Sequence, residues 1–159
     1  MESHSKVAGH PLHTILITLP LGLLSASLFF DLKAKLQHKS DDAKIARALI
    51  GGGVLTGLLA ASVGLIDYRA IPKGTRAKQI GLTHAVGNVI MLSLFTLSWK
   101  KRRPNETMPD NSALVLSLLG AALSGLTGWL GGELVYRLGI GVDPGANPEA
   151  PNSLVSDHT

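Results

Sequence analysis

Residues 51–69 read GGGVLTGLLAASVGLIDYR. No charge appears from 51 to 66, and then Asp67, Tyr68 and Arg69 arrive together. The charge-free run starts at residue 48. At about 1.5 Å per helical residue it is long enough to cross a hydrocarbon layer of roughly 30 Å. Three more such blocks occupy 7–30, 79–99 and 111–132. Helices of a soluble bundle would carry charges at helical spacing on an outer face, and these carry none. The pattern predicts an all-α integral membrane protein, a four-helix up-down-up-down bundle joined by short connections.

The composition fits. The chain has 159 residues, 45% of them hydrophobic and only 16% charged, where soluble domains carry about a quarter. The mean hydropathy is +0.27. The first apolar block is too long for an ordinary signal-peptide core, and Asp31, Leu32 and Lys33 follow it where a cleavage site would need small residues. It is expected to stay in the protein. Pro11 suits a first helical turn, and Pro20 should kink the first helix. Residues 1–9 read as a polar N-terminal segment and 10–141 as the transmembrane domain. Residues 142–159, with three prolines among small polar residues, read as a disordered tail.

Topology follows from the basic residues. Lys6, Arg69, Lys73, Arg76, Lys78 and Arg137 fall on the side of the termini. Lys33, Lys35, Lys39, Lys44, Arg47, Lys100, Lys101, Arg102 and Arg103 fall on the other. The excess on the second side places both termini outside the cytoplasm.

The chain also repeats itself. At an offset of 68, Gly52, Leu55, Gly57, Leu58, Gly64, Tyr68 and Arg69 meet Gly120, Leu123, Gly125, Leu126, Gly132, Tyr136 and Arg137. The first and third spans match more weakly at 71, where His13 falls on His84, Leu21 on Leu92, Leu23 on Leu94 and Ser27 on Ser98. Two tandem helical hairpins related by an axis along the membrane normal are expected. Gly53 with Gly57, Gly128 with Gly132, and Gly120 with Ser124 have the spacing that lets membrane helices approach closely. They would pack helices or, beyond that, leave room for a flat ligand.

His4, His38 and His158 lie in polar segments and read as solvated. His13 and His84 begin the first and third spans, on one membrane face, and the repeat makes them equivalents. Two imidazoles facing across a bundle axis suit axial ligation of b-type haem, which needs no cysteine. His10 shares the face of His13 if the helix starts that early. Asn88, Tyr136, Arg69 and Arg137 gather at the same end as further cofactor contacts. Asp67 and Glu133 would support an imidazole N–H, bind a haem propionate through Arg69 or Arg137, handle the protons of a quinol, or simply meet water. The same histidines with a carboxylate leave zinc or non-haem iron open. The repeat places Leu65 opposite Glu133 and Val135 opposite Asp67, so any carboxylate set is asymmetric.

Other chemistries are excluded. The absence of cysteine removes disulfide, thiolate–metal and c-type haem chemistry. No Lys within a span offers a retinal attachment point, and no mid-membrane charge offers an ion relay. There is no phosphate-cradling motif and no Ser/His/Asp set. The basic loops serve topology rather than nucleic acid.

Three segments carry a family resemblance: GHPLHTILITLPLGLL (9–24), GLIDYRAIPKGTRAKQIGLTHAVGN (64–88) and GWLGGELVYRLGIGV (128–142). Together they resemble the bacterial predicted membrane proteins of the domain-of-unknown-function 2231 family. The resemblance implies a multi-pass protein of the bacterial inner membrane. It also implies membrane redox work, since members are sometimes fused to or encoded beside Rieske-type iron–sulfur proteins and other oxidoreductases. His10, His13, Asp67, His84, Asn88, Glu133, Tyr136 and Arg137 match similar positions in that family. Thr14 stands where members often have proline, and Leu138 where many have a histidine, so a third-histidine metal site lacks its residue. The expectation is an electron-transfer subunit with haem between His13 and His84, in contact with lipid and with quinone or a peripheral redox protein, and without catalysis of its own. The competing expectation is a cofactor-free assembly subunit of a larger membrane complex.

Overall fold

The computed structural model describes residues 1–102, 108–150 and 152. A short hairpin, β1 (Lys6–Val7) paired with β2 (His10–Pro11), precedes the helices. Helix α1 (Leu12–Leu16) leads into α2 (Thr18–Gln37), followed by α3 (Ser40–Ala70), α4 (Arg76–Lys101) and α5 (Asn111–Gly132). A π-helical turn, Glu133–Arg137, ends α5. Among the described residues, four helical stretches are long and apolar enough to cross a membrane: Leu12–Gln37, Ser40–Ala70, Arg76–Lys101 and Asn111–Arg137.

The helices run beyond the charge-free blocks. Only His38 and Lys39 separate α2 from α3, so the expected charged loop is almost entirely helical. His38 closes α2 in the left-handed conformation at φ 53°. The first helix starts at Leu12, with Pro11 just before it as the N-cap residue. Pro20 has no N–H to offer the Leu16 carbonyl, and the helix assignment breaks at Ile17 between those positions, although Ile17 keeps right-handed helical dihedrals. The α3–α4 connection turns at Gly74, whose φ of +78° suits a residue without Cβ. Thr75 then caps α4 by accepting a hydrogen bond from the Lys78 N–H.

Contacts within each hairpin run in opposite order along its two helices. His13 meets Ala60 and Gly64, Leu24 meets Gly53, and Lys33 meets Asp42. Likewise His84 meets Thr127 and Gly131, Phe95 meets Gly120, and Ser98 meets Ser117 and Ala113. The two sets match at 71 residues on the first helix of each hairpin. On the second helix the contacts match at 67: Gly53 to Gly120, Ala60 to Thr127, Gly64 to Gly131. The sequence identities suggest 68, and the spatial equivalence corrects that by one. The π-turn accounts for the difference at the exit. Leu138 N–H bonds five residues back to the Glu133 carbonyl, and this wider turn absorbs the residue that returns Tyr136 and Arg137 to the offset of Tyr68 and Arg69.

The core is small and the outside is greasy. Leu24, Ile50, Met91, Leu92 and Phe95 pack inside, while Leu19, Phe29, Leu55, Val89, Leu126 and Trp129 are exposed. Ser27, Ser98 and Ser117 are fully buried, and Asp31 and Arg102 are nearly so. An apolar exterior around a polar-spotted interior suits lipid rather than water as the solvent. The inner glycines serve packing. A Cβ on Gly53 would fall 2.6 Å from Leu24 side-chain carbons, one on Gly57 2.7 Å from Leu92, and one on Gly120 2.8 Å from Phe95. These surfaces are filled by side chains, so they provide helix contact rather than a slot for a flat ligand. Gly128 has open space around it and Gly132 meets only Tyr136 of its own turn, so that pair makes no helix contact.

The segment 143–150 forms local turns, in which Gly145 N–H bonds Asp143 and Glu149 N–H bonds Asn147. Residues 151 and 153–159 of the expected tail, and Arg103, lie outside the described residues.

Candidate functional site

His13 stands in the short first helix and His84 two turns into α4, and the structure brings them together. Their ring centres lie 6.5 Å apart with planes at 82°. Each ring is held by the second helix of its own hairpin. His13 Nδ1 is 2.8 Å from the Ala60 carbonyl and His84 Nδ1 is 2.9 Å from that of Thr127. A carbonyl only accepts, so both Nδ1 atoms carry a proton, and in the neutral ring Nε2 keeps the lone pair. Both rings lie over glycine. A Cβ on Gly64 would come within 2.8 Å of His13 Cε1 and Nδ1, and one on Gly131 within 3.3 Å of His84 Cε1.

The two sites differ at Nε2. The Asn88 amide lies 3.1 Å from His84 Nε2 and donates to the His84 carbonyl at 2.9 Å. The residue four positions after His13 is Ile17, which offers no such donor. Two end-on imidazoles bound to one metal at about 2 Å each place their ring centres roughly 6 Å apart. The observed separation is close to that value, and the Nδ1-protonated tautomer is the one that ligates through Nε2. The two Nε2 atoms are the donors these rings would offer a metal, and that of His84 already faces the Asn88 amide.

The carboxylates do other work. Asp67 accepts from Ser3 Oγ at 2.9 and 2.8 Å and from the His4 N–H at 2.8 Å, which ties the N-terminal segment onto the end of α3. Glu133 is buried and pairs with Arg76 at 2.6 Å, with Arg137 Nε 3.8 Å away. Neither supports an imidazole; backbone carbonyls hold both rings instead. His10 lies in β2 and is exposed, because the helix starts after it, so it does not join His13. Arg69 and Arg137 are exposed, as is Tyr136 at 89%. Among the described residues, no three His, Asp or Glu side chains form a group able to hold a metal ion.

Sequence reasoning missed Arg76, whose partner Glu133 lies 57 positions away. It also missed the buried pair Asp31–Arg102. Arg102 reaches Asp31 with both terminal nitrogens, Nη2 to Oδ2 at 2.7 Å, and touches Ser98 and Ser117 with Nε and Nη2. A usable signal existed: the offset that maps His13 onto His84 and Ser27 onto Ser98 also maps Asp31 onto Arg102.

A family model for predicted membrane proteins, DUF2231, matches residues 9–144, which include every helix and the histidine pair. The chain belongs to the DUF2231 family. No curated protein and no solved structure matches it. Within this DUF2231 chain the paired histidines, Asp67 and the Glu133–Arg76 pair fall inside the matched region, while Ser3 and His4, which bind Asp67, precede it.

Proposed function

We propose that this DUF2231 protein is an electron-transfer subunit of the bacterial inner membrane that holds a b-type haem between His13 and His84 and has no catalytic activity of its own. The observation that carries this reading is the matched histidine pair: two rings 6.5 Å apart, each with Nδ1 committed to a carbonyl of the neighbouring helix. The haem, when bound, supplies reversible one-electron chemistry.

The protein's own part is placement. The Ala60 and Thr127 carbonyls set the tautomers, Gly64 and Gly131 admit the rings, and Asn88 orients His84. With up-down-up-down crossings, the histidines and both termini share one face, and the basic excess at the other end supports an orientation with that face outside the cytoplasm. Exposed Arg69 and Arg137 there suit the propionates or an acidic redox protein, and exposed Tyr136 suits contact with a partner or quinol.

Absorption of the protein purified from haem-replete cells tests the proposal. A Soret band and a pyridine haemochrome are expected, lost in H13A and in H84A. Colourless protein whose two alanine variants remain folded and functional overturns it. The filled glycine faces favour a second reading, a cofactor-free subunit of a larger membrane complex. That reading expects a colourless protein that co-purifies with a stable partner and loses stability without it.

A further inference from the structure

A cleft of about 200 Å³ opens between α3 and α4, running from mid-bundle toward the end away from the histidines. Gly51, Val54, Leu55, Leu58, Thr96 and Trp99 line it, and its walls are almost wholly apolar. Gly51 makes it possible, since a Cβ there would fall 2.9 Å from Trp99 Nε1. That indole N–H has no acceptor among the described residues. Arg47 sits one turn before Gly51 on α3, with its guanidinium 4.6 Å from the Trp99 ring centre. Its Nε donates to the Arg102 carbonyl at 2.7 Å, which fixes the group and leaves the terminal nitrogens without a partner among the described residues. Lys100, one turn beyond Thr96 on α4, is exposed at the same rim.

An apolar cleft with a fixed guanidinium, an unused indole donor and a lysine at its mouth matches one kind of molecule. We propose that the α3–α4 cleft is a binding site for an anionic phospholipid, with an acyl chain along Gly51, Leu55 and Leu58 and the phosphate at Arg47. The ligand's chemistry follows from the two ends of the site. The chain replaces lipid contacts along an apolar wall, and the phosphate takes the paired donors that arginine presents. Basic sites between membrane helices select anionic head groups in this way. The site is independent of the histidine pair.

The protein contains two tryptophans, Trp99 and Trp129, so Trp99 fluorescence in a W129F background reports on the cleft. The protein is reconstituted into phosphatidylcholine vesicles containing the same mole fraction of either bromine-chain phosphatidylglycerol or bromine-chain phosphatidylcholine. Site binding predicts an effective local concentration of the anionic quencher about fivefold higher at Trp99, the increment of one well-placed cation. R47Q removes the excess. K44Q lowers the charge of the same rim without touching Trp99 and keeps the excess. A W99F variant, reporting Trp129, shows no preference. Equal quenching by the two lipids, an excess that survives R47Q, or one that K44Q abolishes equally overturns the proposal in favour of ordinary boundary lipid or diffuse attraction.

Discussion

Asp31 and Arg102 pair inside the bundle although 71 residues separate them. That is the separation of His13 and His84. Equivalent positions of the two hairpins therefore meet at both ends of the molecule, as two imidazoles at one end and as opposite charges at the other. A duplicated hairpin with Asp at both positions, or Arg at both, would bury like charges together. The two equivalent positions instead carry complementary charges.

Breaking that pair should be costly. Arg102→Leu leaves the Asp31 carboxylate buried without its partner, and loss of one member of a buried ion pair destabilises by about 3–5 kcal/mol. The double variant Asp31→Arg with Arg102→Asp restores the pair in reverse, because the positions are structural equivalents. Thermal unfolding in detergent should show a large loss in each single variant and substantial recovery in the double. Additive losses would mean that the sites are not equivalent.

Glycine substitutions should divide by environment. Gly53→Ala drives a Cβ into Leu24, with a contact at 2.6 Å and the Leu24 backbone N at 3.4 Å, so both helices must shift. Overpacking of this kind costs roughly 1–3 kcal/mol. Gly125→Ala meets nothing within 4 Å and should be neutral or slightly stabilising, since alanine favours helix by up to about 1 kcal/mol over glycine. Melting temperatures of the two variants check the ranking.

How much of this was legible in the sequence depends on the range of the interaction. The four spans were legible because lipid demands unbroken apolar surface, a constraint written locally in the chain. The histidine pair was legible through the repeat. The helix ends were not: Lys33, Lys35, Lys44 and Arg47 look like loop residues by charge, yet the helices continue because nothing stops them before His38. The imidazole supports were also out of reach, since Ala60 and Thr127 act through backbone carbonyls that carry no side-chain signature. The register of 67 was masked by identities at 68 that the π-turn makes correct only at the exit.

The N-terminal clasp should be separable from the bundle. Asp67→Ala removes the acceptor shared by Ser3 Oγ and the His4 N–H, and Ser3→Ala removes the side-chain donor. Hydrogen bonds to a charged group contribute about 1.5–3 kcal/mol each, so opening of residues 1–7 should become at least about tenfold more frequent. Tryptic cleavage after Lys6 should accelerate accordingly in both variants, more in Asp67→Ala, while cleavage elsewhere stays unchanged. An unchanged rate after Lys6 would show that the Met1 contacts to Gly139 and Gly141 hold the segment without Asp67.

Gly64 and Gly131 give a graded test of the histidine site. A Cβ at Gly64 reaches His13 Cε1 and Nδ1 at 2.8 Å, so Gly64→Ala must push the ring away and break its bond to the Ala60 carbonyl. At Gly131 the closest approach is 3.3 Å, which a few tenths of an ångström of movement relieves. Nitrogen-15 spectra of selectively labelled imidazoles read the tautomers directly. Gly64→Ala should let the His13 proton exchange between its two nitrogens, while Gly131→Ala should leave His84 protonated at Nδ1. If haem occupies the site, its retention follows the same order, with Gly64→Ala losing more of the Soret band than Gly131→Ala. The opposite order would mean that the α5 wall behind His84, whose Nε2 faces Asn88 of its own helix, is the less tolerant one and that His84 rather than His13 sets the geometry of the pair.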